Sequence, residues 1–201
     1  MPNSQTNHRT QVERTRASRE KIIQAAVKFF AQEGYRGAKL ADIAKAANLS
    51  EPGLLHHFPS KTQLLMAVLT ERDRTDRIRF DLDRHGEEGD PLTGFQKLVE
   101  YNETVPGLVQ LFTMLVAESI QETHPGHDYF RQRYQQAREQ EVEILKQGQA
   151  RGEIRADIPA EDLFVLLYAM MDGLQIQWLY EPDKVDMAGL FGQFVRLLRG
   201  K

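Results

Sequence analysis

The chain has 201 residues, 41% hydrophobic and 27% charged, with a formal net charge of −3. This is the composition of a soluble globular protein, one ordinary domain or two small ones. There is no cysteine, which excludes a disulfide framework, a thiolate metal site and a cysteine nucleophile, and fits a reducing compartment. The N-terminus MPNSQTNHRT lacks the apolar core of a signal peptide. The longest strongly apolar run, Leu163–Met171, is nine residues, about half of the roughly 20 that a membrane span needs. The expectation is a cytoplasmic protein with no membrane partner. Charge is unevenly spread. Residues 1–61 hold ten Lys/Arg against five Asp/Glu, whereas residues 62–201 hold 16 against 24. A basic head on an acidic body points to a polyanion as partner of the head.

Residues 1–14 are polar and without periodicity, and read as a disordered tail. From Arg16 to Glu33 the apolar residues Ile22, Ile23, Ala26, Phe29 and Phe30 recur at helical spacing. Gly34 stands where a C-cap is expected. A second helix is expected over Leu40 to Ala47, a very short third helix between Ser50 and Phe58, and a fourth from Ser60, where Ser60 and Gln63 fit a capping box. The fourth continues through ERDRTDRIRFDLDR. Residues 85–91, HGEEGDP, break the pattern. Further helices are expected near 91–104, 107–122, 126–151, 159–180 and 184–199. The fold class is therefore all-α, with about nine helices. A head over residues 15–61 precedes a rear helical domain over 62–201, and the fourth helix links the two.

A helix as short as the third is unstable alone, and its purpose shows in Leu40 to Phe58 taken as one unit. Ala44 is small where two helices would cross. Asn48 lies at the turn and tolerates positive φ. Leu49 and Leu54 can pack back on Ile43 and Ala44. Ser50 caps the next helix and Pro52 suits its first turn. This is the spacing of a helix-turn-helix, whose second helix lies in a DNA major groove.

On these residues the chain resembles the tetracycline-repressor (TetR) family of transcriptional regulators. The likeness rests on Ile22-x-x-Ala25-Ala26, Phe29-Phe30, Gly34-Tyr35, Ile43-Ala44-x-x-Ala47, Leu49-Ser50, Leu54, His56, Phe58 and Ser60-Lys61. The segment GEIRADIPAEDLFVLLYAMMDGLQIQWLYEPD resembles the C-terminal domain of the choline/betaine-regulator type. Three positions depart from the family pattern. Ala38-Lys39 stand where Thr or Ser usually leads into the second helix. Glu51 replaces a Lys or Arg, and can accept from a cytosine amino group. Leu55 and His57 stand where Tyr is frequent.

The resemblance implies a N-terminal DNA-binding domain of three helices and a C-terminal ligand-binding and dimerisation domain. It places Lys39, Ser50, Glu51, Pro52, Gly53, Leu55, His56, His57 and Lys61 at DNA. Lys61, at the start of the fourth helix, meets phosphate at a positive helix end. Arg9, Arg14 and Arg16 could reach a minor groove from the tail, although solubility explains them as well. His56 and His57 point about 100° apart on a helix and do not share a metal.

In the rear domain, residues 108–117 are apolar all round, as in a helix buried on several sides. The resemblance implies a cavity beside it, with Tyr101, Gln110, Thr113, Met114, Glu118, Tyr168, Asp172 and Gln175 as candidate lining. Glu118 or Asp172 with Trp178 could recognise a cation; water or an arginine accounts for the same carboxylates. His124-Pro125-Gly126-His127-Asp128 carries metal-ligating atoms, but a loop ending in an Asp N-cap is the preferred reading. The last two helices carry apolar residues on more than one face. The resemblance assigns Leu167, Met171, Leu174, Trp178, Phe191, Phe194 and Leu198 to a homodimer interface. The whole implies a ligand-responsive regulator, most simply a homodimeric repressor released from a palindromic, double-stranded operator by an unknown small molecule. No cofactor or metal is called for. The competing class is a helical ligand-binding protein or enzyme without DNA binding. For that class Glu118 with His124 or His127 is the only candidate acid/base pair.

Overall fold

The computed structural model describes residues 11–80, 82 and 92–200, the side chains of 11 and 12 apart. Among the described residues there are nine α-helices: α1 (Gln11–Gly37), α2 (Leu40–Ala46), α3 (Glu51–His57), α4 (Lys61–Arg79), α5 (Leu92–Glu103), α6 (Pro106–Glu118), α7 (His127–Ala150), α8 (Ala160–Tyr180) and α9 (Met187–Leu198). The all-α expectation holds. One isolated antiparallel bridge joins Ile154 to Arg199. By its contacts the chain divides into residues 1–69 and 70–201, eight residues later than the sequence division at 61. Arg9 and the 85–91 break lie outside the described residues.

The head is built on α1. Ile22, Ala26 and Phe30 repeat every four residues and are fully buried. The helix starts at Gln11 rather than Arg16. Gly34, at φ 69° and ψ 171°, interrupts it where the cap was expected, a conformation open to Gly at no steric cost. The interruption swings Tyr35 back, its ring 5.9 Å from Phe30 and its hydroxyl 3.0 Å from Thr62 Oγ1. Ser60 caps α4 by accepting from Gln63 N at 3.1 Å. Leu64, Leu65, Val68 and Leu69 of α4 are buried.

The rear unit pairs α7 with α8 and α5 with α9. Phe95, Leu145, Leu163, Phe164, Phe191 and Val195 belong to one core cluster. Glu103 receives Ala188 N at 3.0 Å, tying the end of α5 to the start of α9. α6 buries Val109, Leu111, Phe112 and Leu115, but Met114 is 49% exposed. It is thus a one-sided helix, not one buried on several sides. It stops at Glu118 rather than 122, because the chain folds back there. His127 Nδ1 meets Ser119 O and His124 Nδ1 meets Ser119 Oγ, both at 2.9 Å. α8 is, among the described residues, the one helix long and apolar enough to cross a membrane. Its Leu163, Phe164, Leu167, Met171 and Trp178 serve instead in the core.

Candidate DNA-binding helix and effector cavity

The turn between α2 and α3 is fixed by its own backbone. Leu49 N donates to Ala44 O at 2.9 Å and Asn48 N to Lys45 O at 3.0 Å. Asn48 has φ 59°, the left-handed conformation that the turn demands. Ser50 then caps α3, its hydroxyl accepting from Gly53 N at 3.2 Å, with Pro52 in the first turn. Ile43, Ala44 and Leu54 are completely buried, so the crossing of α2 and α3 is a packed contact. This leaves Glu51, Pro52 and His56 exposed and Gly53, Leu55 and His57 half-exposed. Gly53 has little room for a side chain, since a Cβ there would lie 3.2 Å from the capping Ser50 Oγ.

Arg19 of α1 supports the far end of α3, and the sequence reading missed it. Its Nη1 donates to His57 O at 2.8 Å and its guanidinium lies 4.2 Å from the Phe58 ring centre. A cation on the last carbonyls of a helix is the favourable charge for that end. Burial lowers the pKa of His57, helped by the neighbouring charges of His56 and Arg19. His57 is therefore neutral at pH 7. Lys61 Nζ donates to Arg36 O at 3.1 Å and lies 5.1 Å from the Tyr35 ring centre. Lys39 and Ser50 are exposed.

The rear unit encloses a cavity of about 480 Å³ among α4, α5, α6, α7 and α8. Phe95, Leu98 and Phe112 give it an apolar wall. The rest of the wall is largely polar and carries four arginines and four carboxylates. Arg133 Nε donates to both oxygens of Asp73, at 3.1 and 2.9 Å, and Tyr129 OH donates to the same carboxylate at 2.6 Å. Burial would lower the Arg133 pKa, but Asp73 together with Tyr168 and Tyr129 outweighs it and holds the guanidinium above its ordinary value. Tyr168 OH donates to Glu141 Oε1 at 3.0 Å, and Tyr134 OH to Asp172 Oδ2 at 3.0 Å. Burial raises the pKa of Tyr129, Tyr134 and Tyr168, and each one's carboxylate raises it further. These phenols are permanent donors.

Of the eight residues assigned to the cavity from sequence, Tyr168, Asp172 and Gln175 line it. The other five do not. Tyr101 packs on Phe80, with ring centres 5.5 Å apart. Gln110 and Met114 are exposed. Thr113 Oγ1 is buried without a partner. Glu118 turns to His124, 3.7 Å away. α6 presents Phe112 to the cavity, and its polar positions lie off that face. Trp178 is in the core, so it forms no cation box with Glu118. Asp128 is not the N-cap of α7. Gly126 holds that position without a side-chain bond, and Asp128 pairs with Arg131. His124 and His127 brace the loop through Ser119, and Gly126 N also donates to His124 Nδ1 at 3.1 Å. Ser119 is 3% exposed, so this trio closes a turn and presents no nucleophile. No cluster of three metal-ligating side chains occurs among the described residues.

Six of the seven assigned interface residues also need correction. Leu167, Met171, Leu174, Trp178, Phe191 and Leu198 are at most 7% exposed within the single chain. Phe194 is half-buried. The chain's own helices consume that face. The apolar side chains left outside are Val165, Leu166, Ile176 and Tyr180 on α8, with Leu190 and Leu197 on α9, all 41% exposed or more.

Comparison with known proteins agrees with this geometry. The family model of bacterial regulatory proteins, tetR family, matches residues 22–68, which hold the whole helix-turn-helix. The HTH-type transcriptional repressor KstR2 of Mycolicibacterium smegmatis is 30% identical over 180 residues, covering 87% of this chain and 85% of its own. The chain belongs to the tetR family of bacterial regulatory proteins. It is a helix-turn-helix transcriptional regulator. A second model, the C-terminal domain of BetI-type transcriptional repressors, matches residues 101–198. The regulator TtgR of Pseudomonas putida is 28% identical over 186 residues, covering 88% of this chain and 87% of its own. Among solved structures, a transcriptional regulator from Saccharomonospora viridis in complex with choline superposes with a TM-score of 0.75. It is 25% identical and covers 92% of this tetR-family chain and 98% of its own.

Proposed function

We propose that this regulator is a homodimeric repressor, released from a palindromic operator by a small molecule held in the rear cavity. The observation that carries the reading is α3. It is a seven-residue helix, capped at both ends and buried only through Leu54. Such a helix serves by what it presents outward. Glu51, Pro52, Gly53, Leu55 and His56 would face base edges, and Lys39, His57 and Lys61 the phosphates. The exposed stripe Val165, Leu166, Ile176 and Tyr180 on α8, with Leu190 and Leu197 on α9, would pair across a two-fold. Ala169 and Gly173 lie within the α8 stripe, and a Cβ at Gly173 would meet nothing. Two copies of α8 could therefore approach closely.

α4 carries Lys61 at its first residue and Arg72, Asp73 and Asp76 at the cavity. A ligand that shifts those three acts on the helix that also bears the DNA-proximal lysine. Two recognition helices serve one operator when they sit about 34–36 Å apart. Release can be no stronger than the ligand's differential affinity for the two states. Since the Saccharomonospora viridis relative holds choline, choline is the first comparison ligand.

The test is selection of DNA from a random pool by the full chain, followed by titration of the selected sequence across salt. A palindrome should be enriched, and affinity should fall steeply with salt. Lys39→Ala and Lys61→Ala should each reduce the salt slope by about one. Enrichment of no sequence overturns the repressor reading.

A further inference from the structure

We propose that the rear cavity recognises an organic acid, its carboxylate bound by Arg72 and its apolar body laid against Phe112, Phe95 and Leu98. The proposal deepens the effector reading above and rests on it. Its basis is the state of Arg72 on the cavity wall. The four carboxylates that line it are all engaged by the protein. Asp73 accepts from Arg133 and Tyr129. Asp172 accepts from Tyr134 and Glu141 from Tyr168. Asp76 faces Arg72 Nε at 3.4 Å. A cation entering at Asp73 or Asp172 would have to displace a donor.

Arg72 is held less closely than these carboxylates. The Arg72 side chain is only 11% exposed, and its Nη1 is buried with no hydrogen-bond partner. Its other contacts are long, 3.4 Å to Asp76 and 3.4 Å from Nη2 to Asn102 Oδ1. Burial lowers the Arg72 pKa and raises that of Asp76, each partner countering part of the shift in the other. This differs from Arg133, which Asp73 holds through Nε at both oxygens. A buried guanidinium N–H without an acceptor is costly, and a carboxylate relieves that cost with a charge-assisted bond.

The apolar wall fixes what the carboxylate is attached to. The Arg72 guanidinium lies 4.6 Å from the Phe112 ring centre, and that of Arg133 4.9 Å from the same ring. An acid bound at the Arg72 guanidinium therefore places its body next to Phe112 and its neighbours. The same two contacts count against a quaternary ammonium, because the ring that would face it already serves two cations. A volume of about 480 Å³ is in the ordinary range for a small-molecule site.

Calorimetric titration of the full chain with phenylacetate, cinnamate and decanoate tests the proposal. The matching primary amides and choline run beside them. At least one acid should bind, its amide should be weaker by about tenfold or more, and choline should not compete. Arg72→Lys keeps the charge beside Asp76 but loses the forked donor. It should weaken the acid by about tenfold while leaving the helical circular dichroism unchanged. Binding of no acid overturns the proposal. So does an amide or choline that binds as tightly as the acid. Should Arg72→Lys fail to fold, the acid-to-amide ratio on the unaltered chain decides alone. Binding of the selected operator is measured in the same samples. An acid site that fails while operator binding persists leaves the repressor reading standing. Acid binding without operator binding does the reverse.

Discussion

The head and the rear unit solve opposite problems. In the head the site is a run of neighbours: the turn, the cap and the presented helix lie within residues 44–58, and α1 clamps them. In the rear unit the cavity draws its wall from five helices, with partners as distant as Asp73 and Arg133 or Tyr134 and Asp172. A local site is specified by turn chemistry. A distributed one is specified by packing, and its polar groups must find partners across the fold or stay unsatisfied. The lesson is that the head's chemistry is fixed by position along the chain and the cavity's by a balance of partners.

The sharpest way to break this comparison is Leu54→Ala. Leu54 is fully buried, and its truncation should cost about 2–5 kcal/mol. DNA binding should be lost while titration still detects ligand in the cavity; loss of both would show that the two sites are not separately specified. Next comes Tyr168→Phe. It strips the donor from Glu141 Oε1 and leaves a buried carboxylate with one partner fewer, at about 1–3 kcal/mol in denaturant unfolding. An unchanged midpoint would mean that the cavity wall is not held by its donor balance.

Asn48→Ala should cost about 1 kcal/mol, because φ 59° is unfavourable to a Cβ without a local polar side chain. Asn48→Gly should be close to neutral. Operator affinity and melting temperature read both. The smallest effect has the opposite sign. Burial raises the pKa of Asp172 even though it accepts from Tyr134. A carboxyl whose folded pKa is raised binds its proton more readily in the folded state, so its penalty is present at neutral pH and relieved on acidification. Asp172→Asn should therefore raise the melting temperature at pH 7 by about 2 °C. The gain should shrink as pH falls toward the carboxylate range.

The legibility of the chain followed the same division. Asn48 at the turn, Ser50 as cap and Gly34 as helix stop could be read because each answers a local backbone requirement. Arg19 could not, because its partner His57 lies 38 residues away. In the rear unit the existence and order of the helices were legible from periodicity. Which face met which was not. Gln110 and Met114 looked like cavity residues because they lie on an apolar helix, yet the rotation of α6 sends Phe112 inward. Leu167 and Met171 looked surplus because α8 is apolar on more than one face. The chain's own core took that face, and Val165, Leu166 and Ile176 were left outside. Sequence shows how much apolar surface a helix has, but not how the neighbouring helices divide it.

The pairing of α5 with α9 has a consequence for how the molecule is made. The head can close once α4 has left the ribosome, since its buried contacts lie within the first 69 residues, and local contacts form quickly. The rear core cannot. Phe95 and Val99 share their cluster with Phe191 and Val195, nearly a hundred residues on, so it stays open until α9 is synthesised. During that interval a finished head is tethered to an unfinished, apolar bundle, the kind of species that engages chaperones.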